Sequence, residues 1–149
     1  MKKIFIDSDH RGFKKKNELI SKFSSQDFEI IDLNPDFDEK DDFNDAAISV
    51  SKAVLETPES FGILLCGSAH GISIQANRFR GIRAIIGWNE ALSKIAREHN
   101  DANIICFSAD NQSSDEMLSS LNAFLSANFL AEERFIRRIE RLDEDLADV

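Results

Sequence analysis

Short runs of apolar residues alternate along the chain with longer stretches in which apolar positions recur at helical spacing. The apolar runs cover residues 3–8, 28–33, 61–66, 83–87 and 104–107. The helical stretches cover residues 13–24, 45–56, 72–78, 89–99 and 113–127. Continuous apolar runs are typical of strands buried on both faces, and strands that alternate with helices form parallel sheets. The pattern therefore predicts a three-layer α/β/α fold around a five-stranded parallel sheet.

A last amphipathic segment, residues 131–146, follows the fifth predicted helix. Phe135, Ile139, Leu142 and Leu146 lie on one stripe of this segment. Since no further strand remains in the sequence for the stripe to cover, we expect it to pack on a neighbouring subunit.

The connection from residue 34 to residue 43, between the second strand and the second helix, is long and acidic. Acidic loops are usually solvated, and we interpret this one in that way. No other linker or repeat interrupts the 149 residues, whose number is typical of one domain, so we predict a single domain over residues 1–149.

The charge balance excludes two broad classes of partner. The chain has 18 basic and 27 acidic side chains, and its net charge of −9 argues against nucleic acid and anionic membranes. No apolar run approaches the roughly 20 residues of a membrane span. The only cysteines, Cys66 and Cys106, do not suggest a disulfide framework. These features lead us to expect a reduced, cytoplasmic protein.

Reactive side chains are concentrated at three junctions between predicted elements. Ligand sites of parallel sheets form at the carboxyl ends of the strands. Residues 9–12 follow the first strand, residues 66–71 follow the third, and residues 99–101 follow the fourth helix. Together they contain all three histidines and one of the two cysteines, so we expect the functional site there.

Cys66 ends the third predicted strand, and a glycine-containing turn leads from it into a helix that we expect to begin near Ile72. The N–H groups of such a turn can bind an oxyanion and lower the pKa of a thiol. The alternative is a small residue that finishes a buried strand, which is our interpretation of Cys106. For Cys66 we favour a reactive thiol.

Structural interpretations remain open for the other junction residues. Asp9 could be the N-cap of the first helix and His10 a residue of the turn before it, and His70 could face solvent. His99 would suit the dipole at the end of a helix, and Asn100 can adopt the left-handed conformation of a helix cap.

Arg134 and Arg138 share a helix face four residues apart, where like charges cost roughly 0.2 to 0.5 kcal/mol unless an anion lies between them. A phosphate would relieve this repulsion. The alternative is a solvated face with intrahelical pairs such as Glu133 with Arg137.

Known cofactor motifs are missing from the sequence. It has no G-x-G-x-x-G after the first strand and no Walker lysine, which argues against NAD and ATP. The spacing of Cys66, His70, His99 and His10 matches no standard zinc site. We therefore expect neither a cofactor nor a metal.

Several motifs together carry a family resemblance. They are SDHRGF at 8–13, CGS at 66–68, GIS at 71–73, ANR at 76–78, GIRA at 81–84, HNDAN at 99–103, and Arg134 with Arg138. The chain resembles the sugar-phosphate isomerases that include ribose-5-phosphate isomerase B and the galactose-6-phosphate isomerase subunits. The resemblance covers nearly the whole chain.

This resemblance implies a Rossmann-like sheet of order 2-1-3-5-4 in a homodimer, or a dimer of dimers, with the C-terminal helix at the interface. Each active site would use residues of both subunits. The implied reaction interconverts ribose 5-phosphate and ribulose 5-phosphate in the pentose phosphate pathway, through a cis-enediol and without metal or nucleotide.

The resemblance also implies roles for individual residues. Cys66 would be the base that moves a proton between C2 and C1, Ser68 would assist at the carbonyl oxygen, and His99 would open the sugar ring. The implied substrate contacts are the N–H groups from Gly67 through Gly71 with Asn100 for the enediolate, Asp9 for sugar hydroxyls, and His10, Arg134 and Arg138 for the phosphate.

Four positions depart from the family pattern. Ala69 stands where glycine is usual, Phe43 where tyrosine is common, Asp110 where arginine often holds phosphate, and Phe135 where histidine is frequent. We expect these changes to affect phosphate affinity and sugar choice more than proton transfer. Some relatives have a carboxylate that acts as the base at the position of Gln75. Glutamine cannot act as a base there, so Cys66 remains as the implied base.

Two alternatives to a ribose 5-phosphate isomerase remain. One is an isomerase of a six-carbon sugar phosphate, such as allose or galactose 6-phosphate, and the sequence does not decide between the two sugar lengths. The other is a catalytically degenerate sugar-phosphate binding protein. The presence of Cys66, Ser68, His99 and Asn100 argues against the degenerate protein.

Overall fold

Strands and helices alternate along residues 1–144, which are the residues that the structure, a computed structural model, describes. The strands are β1 (Lys2–Ser8), β2 (Phe28–Asp32), β3 (Phe61–Cys66), β4 (Ala84–Ile86) and β5 (Ile104–Ser108). The helices are α1 (Phe13–Lys22), α2 (Phe43–Glu56), α3 (His70–Ala76), α4 (Glu90–Asn100), α5 (Ser114–Ser126) and α6 (Glu133–Glu140), and one turn of 3-10 helix follows at Arg141–Asp143.

The five strands form one parallel sheet in the order β2-β1-β3-β5-β4. The Rossmann-like architecture and the strand order are therefore confirmed. The chain first moves from β1 to β2 and then crosses back to β3 on the other side of β1. Crevices form at the carboxyl ends of strands where the direction reverses in this way, here between β1 and β3.

Both faces of the sheet are covered, which explains why the strands appear as continuous apolar runs. Ile4 and Ile6 of β1 belong to a core cluster shared with α1, α4 and α5, in which Leu121 is also fully buried. Phe5 lies on the opposite face, in a cluster shared with α2 and α3 that includes Val50. Because side chains alternate between the two faces along a strand, each strand contributes residues to both cores.

Helix α3 begins at His70, two residues before the predicted start near Ile72. The turn is shortened because Ala69 adopts a left-handed conformation, with φ of 68°. This conformation costs an L-residue roughly 1 kcal/mol or more and is ordinary for glycine. Glycine, which the resemblance implies at this position, would take it without that cost.

The C-terminal segment is shorter and less continuous than the predicted helix over residues 131–146. Helix α6 ends at Glu140, and Leu146 lies outside the described residues. Phe135 is buried against its own chain, where its ring stacks on His99 with centroids 4.4 Å apart. Our expectation that the whole stripe packs on a neighbour is therefore wrong for Phe135, whereas Leu142 is 61% exposed.

A buried lysine joins helix α1 to the end of β2. Lys16 is fully buried, and its Nζ donates to both carboxylate oxygens of Asp32, at 2.8 and 3.0 Å, and to the Asn34 carbonyl at 2.5 Å. A buried ammonium is stable only when it is paired and hydrogen-bonded. These bonds therefore hold the first residues of the acidic loop in place.

Replacement of Asp32 by Ala should lower the free energy of unfolding by about 3 kcal/mol, because it leaves the buried Lys16 ammonium without its counter-charge. Urea unfolding measures the change. The control is Glu59→Ala, which removes an exposed partner of Lys2 and should cost less than about 1 kcal/mol. Equal losses in the two variants would contradict the assigned role of Lys16.

None of the helices within residues 1–144 has the length and apolar character needed to cross a membrane.

Candidate active site

Cys66 is the last residue of β3, and the following turn curls around its sulfur. The side chain is 4% exposed, and its Sγ accepts the N–H of Ala69 at 3.1 Å. Bonds from the backbone N–H groups of Ile72, Ala69 and Ser68 lower the pKa of the thiol. The turn therefore directs several donors at one point, as the sequence predicts.

The net shift of the Cys66 pKa is nevertheless upward. Burial is the largest cause and raises the pKa above its ordinary value, and the negative charge of Asp9 raises it further. Our prediction of a lowered thiol pKa is therefore wrong, because loss of hydration outweighs the N–H groups. Cys106 is fully buried and its pKa is raised far above the normal range, which fits its interpretation as a structural residue.

Asp9 lies beside Cys66 at the carboxyl edge of the sheet. Its Oδ1 accepts the N–H groups of Arg11 at 3.0 Å and Gly12 at 3.1 Å, and its own N–H donates to the Leu65 carbonyl at 3.2 Å. Burial is the main cause that raises the pKa of this carboxyl group. Asp9 thus stabilises the turn into α1 and also stands next to the thiol.

His10 is held by a residue that the sequence analysis missed. The backbone N–H and the Nδ1 of His10 both lie 2.8 Å from Oδ1 of Asp41, whose side chain is only 15% exposed. The hydrogen bond to Asp41 is the largest cause that raises the pKa of His10. Asp41 belongs to the acidic loop, so our interpretation of that loop as solvated is wrong at this residue.

A second ion pair crosses the turn after Cys66. Arg11 donates to the carboxylate of Asp110, which stands where the resemblance implies an arginine. A Cβ atom added to Gly67 would lie 2.9 Å from Arg11 Nε and 3.0 Å from Asp110 Oδ2. The pair therefore covers Gly67, and a larger residue there would displace these side chains.

The start of α3 forms the rim of the same region. Ser68 is exposed, and its Oγ accepts the N–H of His70 at 3.2 Å. The ring of Phe43 lies against Gly71, where an added Cβ would meet Phe43 Cζ at 2.6 Å. Six predicted residues thus meet at this edge and form the carboxyl-edge cluster: Asp9, His10, Cys66, Gly67, Ser68 and Gly71.

His99 and Asn100 lie at the opposite edge of the sheet. Helix α4 follows β4 and runs back across the sheet, and Asn100 is its last residue. The Asn100 carbonyl accepts a hydrogen bond at 3.0 Å from Nε of Arg83, the residue that directly precedes β4. A strand as long as β3 spans roughly 17 to 20 Å. Our prediction that all three junctions meet at the carboxyl ends is therefore wrong within one chain.

The end of α4 also differs in detail from the predicted cap. Asp101, with φ of 46°, takes the left-handed position expected for Asn100, which remains helical. His99 and Asn100 are therefore neighbours in the last turn of α4.

Arg134 lies beside the stack of His99 on Phe135, and Arg138 is one turn further along the same helix, α6. The chain before α6 is fixed to α4 by the bond from the Leu130 N–H to the Glu98 carbonyl at 3.0 Å. The Phe135 ring stacks on His99. The guanidinium of Arg134 lies over the Phe135 ring, 4.7 Å from its centroid. His99, Asn100, Arg134 and Arg138 together form the α4-end cluster.

The helix face of α6 also contains the intrahelical pair that was the alternative to a phosphate site. Arg137 Nη1 donates to the carboxylate of Glu133 at 2.7 and 2.9 Å. Arg134 and Arg138 are exposed on the same helix. Among residues 1–144, no group of three or more histidine, cysteine or acidic side chains is arranged to hold a metal ion.

A model of one protein family, described as Ribose/Galactose Isomerase, matches residues 4–142. The chain belongs to this isomerase family. The matched range includes the residues of both clusters. The match also confirms the resemblance drawn from the sequence motifs.

Solved relatives within the isomerase family have the same fold at nearly full length. The chain is 36% identical to ribose 5-phosphate isomerase B of Thermotoga maritima, with a TM-score of 0.88 over 96% of this chain and 98% of that one. It is 34% identical to ribose-5-phosphate isomerase B of Mycoplasma genitalium, solved with bound ribulose 5-phosphate, with a TM-score of 0.86 over 94% and 93%. The Escherichia coli ribose-5-phosphate isomerase B is 38% identical over 107 residues, which are 72% of each chain.

Proposed function

We propose that the protein is a ribose-5-phosphate isomerase, which interconverts ribose 5-phosphate and ribulose 5-phosphate. The observation that carries this proposal is the thiol of Cys66, which ends β3 inside a ring of backbone N–H groups and beside the buried Asp9. Proton abstraction next to a carbonyl requires such a base together with fixed donors for the developing oxyanion. Membership in the isomerase family supports the same reaction.

The reaction consists of two proton transfers at carbon. The Cys66 thiolate removes the proton from C2, and the electron pair of the C2–H bond forms the double bond of the enediolate while the C1 carbonyl oxygen becomes negative. The N–H groups from Gly67 through Gly71 stabilise that oxygen, and Ser68 moves a proton between the two oxygens. Cys66 then returns its proton to C1, which gives the ketose. Electrons balance within the sugar, so the proposed reaction uses no cofactor and no metal.

The remaining site residues bind and open the sugar. Asp9 accepts hydrogen bonds from sugar hydroxyls, and His99 transfers the proton that opens the furanose ring. Asn100 supplies a further donor to the enediolate. The phosphate is held by His10, Arg134 and Arg138, since guanidinium and imidazolium groups form strong charge-assisted bonds with it.

These roles require two copies of the chain in each site. His10 and Cys66 belong to the carboxyl-edge cluster, whereas His99 and Arg134 lie at the far end of α4. We therefore propose a homodimer, either alone or paired into a dimer of dimers, in which each site combines the carboxyl-edge cluster of one subunit with the α4-end cluster of the other.

Apolar surface near α4 supports such an association. Trp88, Leu92 and Ile95 are each more than two-fifths exposed, and Ile136 of α6 is 40% exposed. Exposed apolar side chains grouped on one surface are typical of subunit contacts. We also place the protein in the cytoplasm, where its two free thiols stay reduced and phosphorylated sugars are available.

Steady-state turnover of three sugars tests the function. Ribose 5-phosphate should give a larger kcat/KM than allose 6-phosphate or galactose 6-phosphate. Preference for a six-carbon sugar would replace the proposal by the alternative isomerase, and binding without turnover of any sugar would indicate the degenerate binding protein.

Replacement of Asp110 by Arg should lower KM for ribose 5-phosphate about tenfold, with little change in kcat. The substitution removes a carboxylate from the mouth of the site and releases Arg11, and tenfold in binding equals about 1.4 kcal/mol. The control is Asp115→Arg, which makes the same charge change on α5 at the partner of Lys22. An unaltered KM in Asp110→Arg would show that this departure from the family does not affect substrate binding.

A further inference from the structure

We propose that Asp41 is a positioning residue, which fixes the His10 ring as an imidazolium and leaves Nε2–H as the donor to the substrate phosphate. The inference rests on the proposed function, in which His10 binds that phosphate. It assigns a role to the acidic loop of residues 34–43, which the proposed mechanism does not otherwise use.

The contact between the two residues determines which ring nitrogen is available. A carboxylate can only accept hydrogen bonds, so the Nδ1 of His10, 2.8 Å from Asp41 Oδ1, must carry a proton. The same oxygen accepts the backbone N–H of His10 at 2.8 Å. Because both bonds converge on one atom, they restrict the ring to one orientation. Nε2 is then the only ring atom that can bind a ligand.

The loop that carries Asp41 is anchored on both sides. Before Asp41, the Asn34 carbonyl accepts from the buried Lys16, and the Phe37 ring meets Phe13 edge-on with centroids 5.3 Å apart. After Asp41, helix α2 begins at Phe43, whose ring lies against Gly71. The carboxylate is therefore presented to His10 by a fixed segment.

The charges around His10 favour its protonated form. Asp41 from the loop and Asp9 from its own turn are the charged groups that raise the pKa of His10, and Asp41 is the largest cause. An imidazolium binds a phosphate more strongly than a neutral ring, because the hydrogen bond is charge-assisted. The raised pKa keeps this charge up to a higher pH than an unpaired histidine would.

Loss of Asp41 should therefore change the pH at which phosphate affinity falls. In the wild type, His10 keeps its charge up to its raised pKa, and KM rises as the pH passes through that value. In Asp41→Asn, the pKa of His10 falls, so KM should rise at a lower pH. Between the two pKa values the variant should have about tenfold higher KM, the effect of one charge-assisted bond, with kcat little changed.

Two measurements test the role of Asp41, and Asp36→Asn is the control because it makes the same charge change on an exposed residue of the same loop. KM is measured for both variants over about 1.5 pH units on each side of neutrality. The ratio of KM in Asp41→Asn to KM in Asp36→Asn cancels the titration of the substrate phosphate. The ratio should approach one at the acidic end and rise with pH. A ratio that stays at one, or falls below one, would overturn the proposal.

Proton NMR titration of the histidine rings provides the second measurement without any substrate. His10→Gln identifies the His10 signal among the three histidines. The pKa of His10 should fall in Asp41→Asn and stay unchanged in Asp36→Asn, and an unchanged value in both would also overturn the proposal. The ring signal separates His10 from Asp7, a neighbouring carboxyl group whose pKa burial raises to about 6.

Failure of the proposed function has a different signature. If the wild type turns over no sugar phosphate, the isomerase proposal fails while the NMR titration still reports whether Asp41 holds His10. If the wild type is active and the titration shows no dependence on Asp41, the positioning role alone is excluded.

Discussion

Cys66→Ala should lower kcat for ribose 5-phosphate by about a thousandfold or more, while the fold and the subunit association remain intact. General base catalysis contributes roughly 10²- to 10⁴-fold, and Cys66 is the base proposed to act at C2. Cys66→Ser should be almost as inactive, because a hydroxyl group ionises far less than a thiol at neutral pH and therefore provides almost no base. Circular dichroism and gel filtration check that both variants are folded.

Cys106→Ala is the matched control for the thiol, because Cys106 is buried and lies outside the site. It should keep kcat close to the wild-type value. The raised pKa of Cys66 adds a second expectation: kcat should increase with pH through the neutral range, as more of the thiol ionises. Wild-type kcat in Cys66→Ala, or alkylation of Cys106 by iodoacetamide before Cys66, would contradict the assignment.

Mixing two inactive variants should restore activity if each site is shared between subunits. One variant is Cys66→Ala, and the other combines Arg134→Ala with Arg138→Ala. In a heterodimer, one site receives both defects and the other receives neither. With random exchange, half of the dimers are mixed and one of their two sites is intact, so about a quarter of the wild-type activity should return.

The negative control mixes Cys66→Ala with Cys66→Ser, which cannot form an intact site in any combination. Exchange of subunits is promoted by mild urea followed by dilution and is verified by mass spectrometry of a tagged chain. If tagged heterodimers form but the mixture is no more active than its parents, the shared site is excluded.

The strands could be predicted because each is buried on two faces and appears as an uninterrupted apolar run. The start of α3 could not, because it depends on the left-handed backbone of Ala69, and alanine gives no sign of that conformation. The end of α6 could not be predicted from the sequence either. Its apolar stripe continues in the sequence to Leu146, while the helix ends at Glu140.

The carboxyl-edge cluster could be predicted from the sequence because Asp9 directly follows β1 and Cys66 ends β3, the strand beside it. His99 was misplaced because a helix that follows a strand returns to the opposite edge, so the end of α4 cannot lie beside the end of β3 in the same chain. Asp41 was missed for another reason. It is one of many carboxylates in residues 34–43, and only the fold shows which of them meets a histidine.

The division of the site between the two ends of the sheet has a consequence for newly made protein. If each site is shared as proposed, a folded single subunit contains every reactive group but no complete site, so catalysis begins only when two chains associate. The rate of turnover then grows faster than the amount of protein at low abundance, because two chains must meet. In such a dimer, dilution below the dissociation constant should abolish activity without unfolding the subunits.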